Sequence, residues 1–136
     1  MSEENVKQWL VKANRDIKTA NLIFLYSKED LYTDIICFHC QQAVEKFLKA
    51  FLVSNNIIFP KTHNLQYLKQ LCLEVDNDFT NIDITTLTVH AVETRYPEEF
   101  YYPTKEEAEK AYGKAKSIKE FVLSKLNKTE TDLTLF

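Results

Sequence analysis

The chain has 136 residues, of which 45% are hydrophobic and 27% charged, with one glycine, three prolines and a formal net charge of −3. That length gives one domain with enough apolar side chains for a single core, and so few glycines and prolines exclude the turn-rich sandwiches and barrels. The acidic balance removes the surplus of Lys and Arg on which strong non-specific nucleic-acid binding rests, while leaving room for a small local basic site.

The chain opens on Ser2-Glu3-Glu4, without the basic and apolar pattern of a secretory signal, and no apolar run approaches the ~20 residues that span a bilayer. No membrane association is therefore expected, and a cytoplasmic location is. Three cysteines (Cys37, Cys40 and Cys72) give an odd count with no disulfide framework, in keeping with a reducing compartment.

Ser2 is placed as the N-cap of a first helix, with Glu3 and Glu4 favouring the positive end of its dipole. Val6, Trp9, Leu10, Ala13, Ile17, Ala20 and Phe24 share one face, until Ser27-Lys28-Glu29-Asp30 breaks the period. A second helix starts near Tyr32 or Thr33 and runs to about Ser54. Within it, Ile36, Cys37, Cys40, Ala43, Val44, Phe47, Leu48, Ala50 and Phe51 fill an arc close to half the circumference. A surface helix has a narrower stripe, so this one is expected at the centre of a helical bundle. Asn55-Asn56 can cap it, and Pro60 blocks its continuation.

The loop Lys61-Thr62-His63-Asn64 leads to a third helix, where Leu65, Leu68, Leu71, Cys72 and Val75 repeat at helical spacing before Asp76-Asn77-Asp78 ends it. Either Thr62 or Asn64 suits its N-cap. From Ile82 to Thr94, β-branched residues would favour a strand on propensity alone, but a lone strand in a helical chain has nothing to pair with. Pro97 and Pro103 bracket a loop rich in Tyr and Glu. Thr104-Lys105-Glu106-Glu107 is a capping box, so the last helix begins there, burying Ala108, Ala111, Tyr112, Ala115, Ile118, Val122 and Leu126. The segment from Asn127 to Phe136 is expected to fray unless Leu133, Leu135 and Phe136 dock on the body or on a partner.

Cys37-Phe38-His39-Cys40 has the outward form of a metal or redox pair. It lies on the core face of the second helix, however, and a zinc site needs about four ligands where no second Cys/His pair is suitably spaced. Neither a metal nor another cofactor is expected. His39, at the edge of the apolar arc, is expected to be partly exposed with one hydrogen bond. Asp16 lies at the edge of the first helix's apolar face, where a carboxylate needs a partner that Lys46, Lys49 or Arg95 could supply. Lys61 and His63 occupy a loop entering a helix, a setting that suits either capping or anion contact.

Taken in order, Gln42-Ala43-x-Glu45-Lys46-x-x-Lys49-Ala50-x-Leu52, Lys61-Thr62-His63-Asn64-Leu65 and Arg95-Tyr96-Pro97 resemble the HEPN domain family. The opening Trp9-x3-Ala13-x2-Asp16-x3-Ala20 is similar to it too. The resemblance implies an all-α, up-and-down four-helix bundle with an additional short helix, a helix over Ile82–Thr94, and a homodimer. Residues 1–127 would form one domain and 128–136 a C-terminal tail. Ile35 and Phe38, apolar on the polar side of the second helix, suit a dimer contact.

Many members of that family are ribonucleases with an Arg, four intervening residues and a His. The His would move the 2′-hydroxyl proton and the Arg would stabilise phosphorane charge. Arg95 matches, but Phe100 stands at the His position, and a phenyl ring transfers no proton. Apart from His39, only His63 and His90 remain to replace it. In members paired with minimal nucleotidyltransferases, a tyrosine two residues beyond that His accepts AMP, and Tyr102 occupies that position. Three readings follow: partner of a minimal nucleotidyltransferase in a toxin–antitoxin or defence module; stand-alone nucleotide- or RNA-binding module using Arg95, Lys61, His63 and Tyr96; or metal-independent ribonuclease with an unrecognised base. The missing His weighs against the third.

Overall fold

In the computed structural model, which describes residues 2–27, 31–88 and 102–134, five α-helices follow in order. They are α1 (Ser2–Tyr26), α2 (Thr33–Ser54), α3 (Leu65–Val75), α4 (Thr85–Thr88) and α5 (Lys105–Leu126). Tight 3-10 turns occupy Asn77–Asn81 and Glu130–Leu133, and no strand occurs among the described residues. The architecture is the all-α, up-and-down arrangement expected. Helices α1 and α2 run antiparallel, since Asp16 meets His39 midway and Trp9 meets Lys49 further along. Helix α5 is antiparallel to α1, with Phe24 against Tyr112 at one end and Asn14 bonded to Lys119 further along.

The width of α2's apolar arc decides this layout. Every member of the predicted arc is buried, from Ile36 to Phe51. The helix serves α1, α3, α4 and α5 at once. Phe51, Phe79 and Phe121 form a ring chain, with centroids 4.5 and 5.0 Å apart, that ties α2 to α5 through the first 3-10 turn.

Local chemistry sets the end of α2 and the starts of α3 and α5 where the sequence indicates. Asn55 caps α2, its side chain donating to the Phe51 carbonyl, and Asn56 follows at φ 59°, a left-handed conformation that Asn tolerates. Asn64, not Thr62, caps α3, accepting from the Tyr67 N–H at 3.0 Å. The capping box of Thr104 and Glu107 starts α5.

Two stretches differ from expectation. The 3-10 turn Asn77–Asn81 carries no helical periodicity; it forms because Asp76 accepts from the Asp78 N–H and because Phe79 is fully buried. Lys125 of α5 clamps it by pairing with Asp76 at 2.8 Å and Asp78 at 2.5 Å, and that hydrogen bond lowers the Asp76 pKa. The predicted helix over Ile82–Thr94 starts only at Thr85 and is described to Thr88, with the remainder outside the described residues. Asp83 accepts from the Thr85 N–H at the helix start, and hydrogen bonding by Thr85 lowers its pKa.

The C-terminal segment is docked rather than frayed as far as it is described. Leu133 is buried, Lys128 pairs with Glu3, and the buried Lys119 reaches Asn14 at 3.0 Å and Glu130 at 2.6 Å. No helix among the described residues is long and apolar enough to cross a membrane.

Phe47 lies at the centre of this packing and is fully buried. Phe47→Ala is expected to cost about 3–5 kcal/mol of unfolding free energy through lost burial and a residual cavity, measured as a lower urea midpoint.

Candidate functional site

An α-helix that is apolar on most sides would be expected to exclude charge, yet Glu45 and Lys49 are both buried on α2. They stand four residues apart, the spacing at which helical side chains meet, and Lys49 Nζ donates to Glu45 Oε2 at 2.9 Å. The ammonium also lies 5.2 Å from the Trp9 ring centroid and 5.8 Å from that of Phe59, so aromatic faces replace some of the lost water. His63, on the loop before α3, completes the cluster. Its Nδ1 is 3.0 Å from Glu45 Oε1 and 3.2 Å from Oε2.

A carboxylate only accepts, so the proton of this bond sits on Nδ1 and leaves Nε2 as the unprotonated nitrogen of the neutral ring. Burial separates the two partners sharply: the Glu45 side chain is 3% exposed and the His63 ring 71%. A buried anion thus orients a solvent-facing imidazole. One turn before Glu45, Gln41 is also buried, and its Oε1 has no hydrogen-bond partner among the described residues.

A second carboxylate cluster lies where α1 crosses α2. Asp16 receives His39 Nδ1 at 2.8 Å and Lys46 Nζ at 2.6 Å. Of the partners considered for Asp16, Lys46 is found, joined by His39, while Lys49 pairs with Glu45 and Arg95 lies outside the described residues. His39 is partly buried and lies edge-on to Phe38 with ring centroids 5.4 Å apart.

The remaining sequence candidates are distributed as follows. Lys61 is exposed on the His63 loop. Tyr102 is 65% exposed, and Pro103 behind it is buried immediately before the α5 cap. Arg95, Tyr96, Phe100 and His90 lie outside the described residues. The structure therefore joins His63 to a buried acid, while Lys61 and Tyr102 are exposed on the surface. Sequence reasoning missed Glu45 and Lys49 as a pair, although two opposite charges four apart on a helix otherwise bound for the core are a readable signal.

Cys37, Cys40 and Cys72 are all buried and serve the core. Burial, with Glu107 and Asp34 nearby, pushes the Cys37 thiol up to about 11; burial alone pushes Cys72 up to about 12, and burial with Cys37 and Asp16 raises Cys40 also. No group of three or more His, Cys, Asp or Glu among the described residues could hold a metal.

The HEPN domain model matches residues 6–126, most of the chain, so this protein belongs to the HEPN domain family. Among curated proteins, the chain is 30% identical over 132 residues to "Putative toxin MJ1304" of Methanocaldococcus jannaschii, an alignment covering 85% of this chain and 84% of that protein. No solved structure matches it.

Removing Glu45 leaves a buried ammonium without its counter-charge. Glu45→Ala is expected to lower stability by about 3–5 kcal/mol in chemical unfolding. His63→Ala leaves the buried Glu45 carboxylate short of one donor and should cost about 1–3 kcal/mol in the same measurement. The thiols give a separate check, since reactivity follows the thiolate. Iodoacetamide at mildly alkaline pH should leave all three cysteines unmodified in the folded protein, as read by mass spectrometry, and alkylate all three in urea.

Proposed function

We propose that this chain is the HEPN component of a toxin–antitoxin-type module and that a minimal nucleotidyltransferase acts on it, adding AMP to Tyr102. Membership of the family and a relative whose name includes "toxin" support the coarser part. The observation that carries the finer part is the presentation of Tyr102. Its ring is exposed, while the buried Pro103 and the capping box beyond it fix the backbone at the start of α5. A modifying enzyme needs such a hydroxyl, reachable but held in one place.

In this reading the protein works in the cytoplasm as a homodimer, with Ile35 and Phe38 at the contact. Leu22, Leu25, Tyr26, Tyr32 and Ile35 are large, exposed and gathered where α1 ends and α2 begins, which supports an interface there. Arg95, Lys61, His63 and Tyr96 are the proposed contacts to nucleotide or RNA; Arg95 offers a planar fork of donors and Tyr96 a face for a base. The exposure of Lys61 and His63 on one loop also favours a second reading, a stand-alone nucleotide- or RNA-binding module. Ribonuclease chemistry of the Arg-x4-His type lacks its proton carrier at Phe100.

The test is incubation with ATP, magnesium and a minimal nucleotidyltransferase, followed by mass analysis after acid treatment. An acid-stable AMP addition, present on the wild type and lost in Tyr102→Phe, is expected. No AMP addition, together with no nucleotide or RNA binding that Arg95→Ala weakens, would overturn both readings.

A further inference from the structure

Two histidines are described, and both have Nδ1 bonded to a carboxylate, but their surroundings differ. His39 sits beside Phe38 and shares Asp16 with Lys46, and its side chain is 25% exposed. His63 has its acid beneath it and solvent around it. With Nδ1–H directed into Glu45, the lone pair of Nε2 faces outward on a ring of fixed orientation. Such an imidazole is a poised nucleophile. A ring so exposed is not enclosed with a substrate by its own chain, so the other reactant must be brought by a second macromolecule.

We propose that His63 Nε2 is a second acceptor on this protein, taking a nucleotidyl group from a nucleoside triphosphate held by the modifying enzyme. This rests on the reading that a nucleotidyltransferase acts on the chain, and adds to it a site other than Tyr102. In the step, the Nε2 lone pair attacks the α-phosphorus of ATP and an N–P bond forms. The bond from that phosphorus to the bridging oxygen breaks, and pyrophosphate leaves with the electron pair. Nε2 carries no proton in this tautomer, so no base is needed to remove one. The product ring is a substituted imidazolium whose Nδ1–H remains on Glu45, so a hydrogen bond from a neutral ring to an anion becomes a hydrogen-bonded ion pair as the step proceeds. Lys61, exposed two residues before, supplies a cation for the phosphate. Glu45 is the positioning residue.

Chemistry separates the two acceptors, because a phosphoramidate on histidine is acid-labile whereas a phosphodiester on tyrosine survives acid. The Tyr102→Phe protein, incubated with ATP, magnesium and the nucleotidyltransferase, should retain an addition that acid removes. The addition should disappear in the Tyr102→Phe, His63→Gln double variant, which keeps an exposed polar side chain and should fold. An acid-labile addition that persists in the double variant, or none in Tyr102→Phe where the wild type carries the acid-stable one, would overturn the proposal. If the enzyme labels neither acceptor, the partnership reading fails and a partner-free arm decides. With potassium phosphoramidate as donor, His63 should be phosphorylated ahead of His39, with the preference lost in Glu45→Gln. Equal labelling of the two histidines would overturn the proposal.

Discussion

A helix packed by protein along most of its surface has few outer positions on which to leave its charges. Helix α2 is in that position, and Glu45 and Lys49 within it have to satisfy one another or be satisfied by what packs over them. The pair is only part of the solution, because a carboxylate has more acceptor sites than one ammonium fills. Trp9 from α1, Phe59 from the following loop and His63 complete the shell. The positions of α1 and of the loop before α3 are thus fixed against α2 by a polar requirement as well as by apolar packing. A buried ion pair is weak evidence for net stability, since hydrophobic replacements often do as well; its effect here is on which arrangement forms.

Asp16 extends the same logic to the helix crossing. Lys46 and His39 lie seven residues apart on α2, about two turns, and both reach one carboxylate on α1. That geometry admits a single register of the α1–α2 hairpin. Sliding one helix by a turn would leave Asp16 in an apolar seam without a partner, a cost of several kcal/mol for an ionised group. At the other side of α1, Lys119 binding Asn14 sets the register of α5 in a similar way and draws Glu130 and the C-terminal turn onto the body.

How much of this could be read in the sequence depends on whether the cause is local. Apolar period and caps are local, and the limits of α2, the Asn64 cap and the capping box of α5 follow from residues within one turn of each boundary. The turn at Asn77–Asn81 was not legible, because its cause is Phe79 entering a ring chain with Phe51 and Phe121, partners 28 and 42 residues away in sequence. The docked tail was legible only as an alternative, since Leu133 has no period to join and its anchor, Lys119, reads as one of many surface lysines. In the candidate site, a motif resemblance singled out His63, but its link to Glu45, 18 residues earlier, is tertiary. Asp16 showed the converse. Its need for a cation was evident from its place on the helix, and only packing could choose among the cations available.

The same division explains where reactive groups can stand in so small a bundle. Positions inside α1, α2, α3 and α5 are occupied by the core and by the charges that set register, and the three cysteines of α2 and α3 are sealed from solvent, burial raising their thiol pKa. Exposure combined with fixed orientation is available at the connections, immediately before a helix cap. His63 precedes the Asn64 cap of α3 and leans on a buried acid; Tyr102 is followed by the buried Pro103 and then by the Thr104 cap of α5. A loop tip would give exposure without orientation, and a helix interior orientation without access. Among the described residues, the two candidate reactive side chains therefore stand at helix entrances, and they owe their placement to the polar ties that fix those helices around α2.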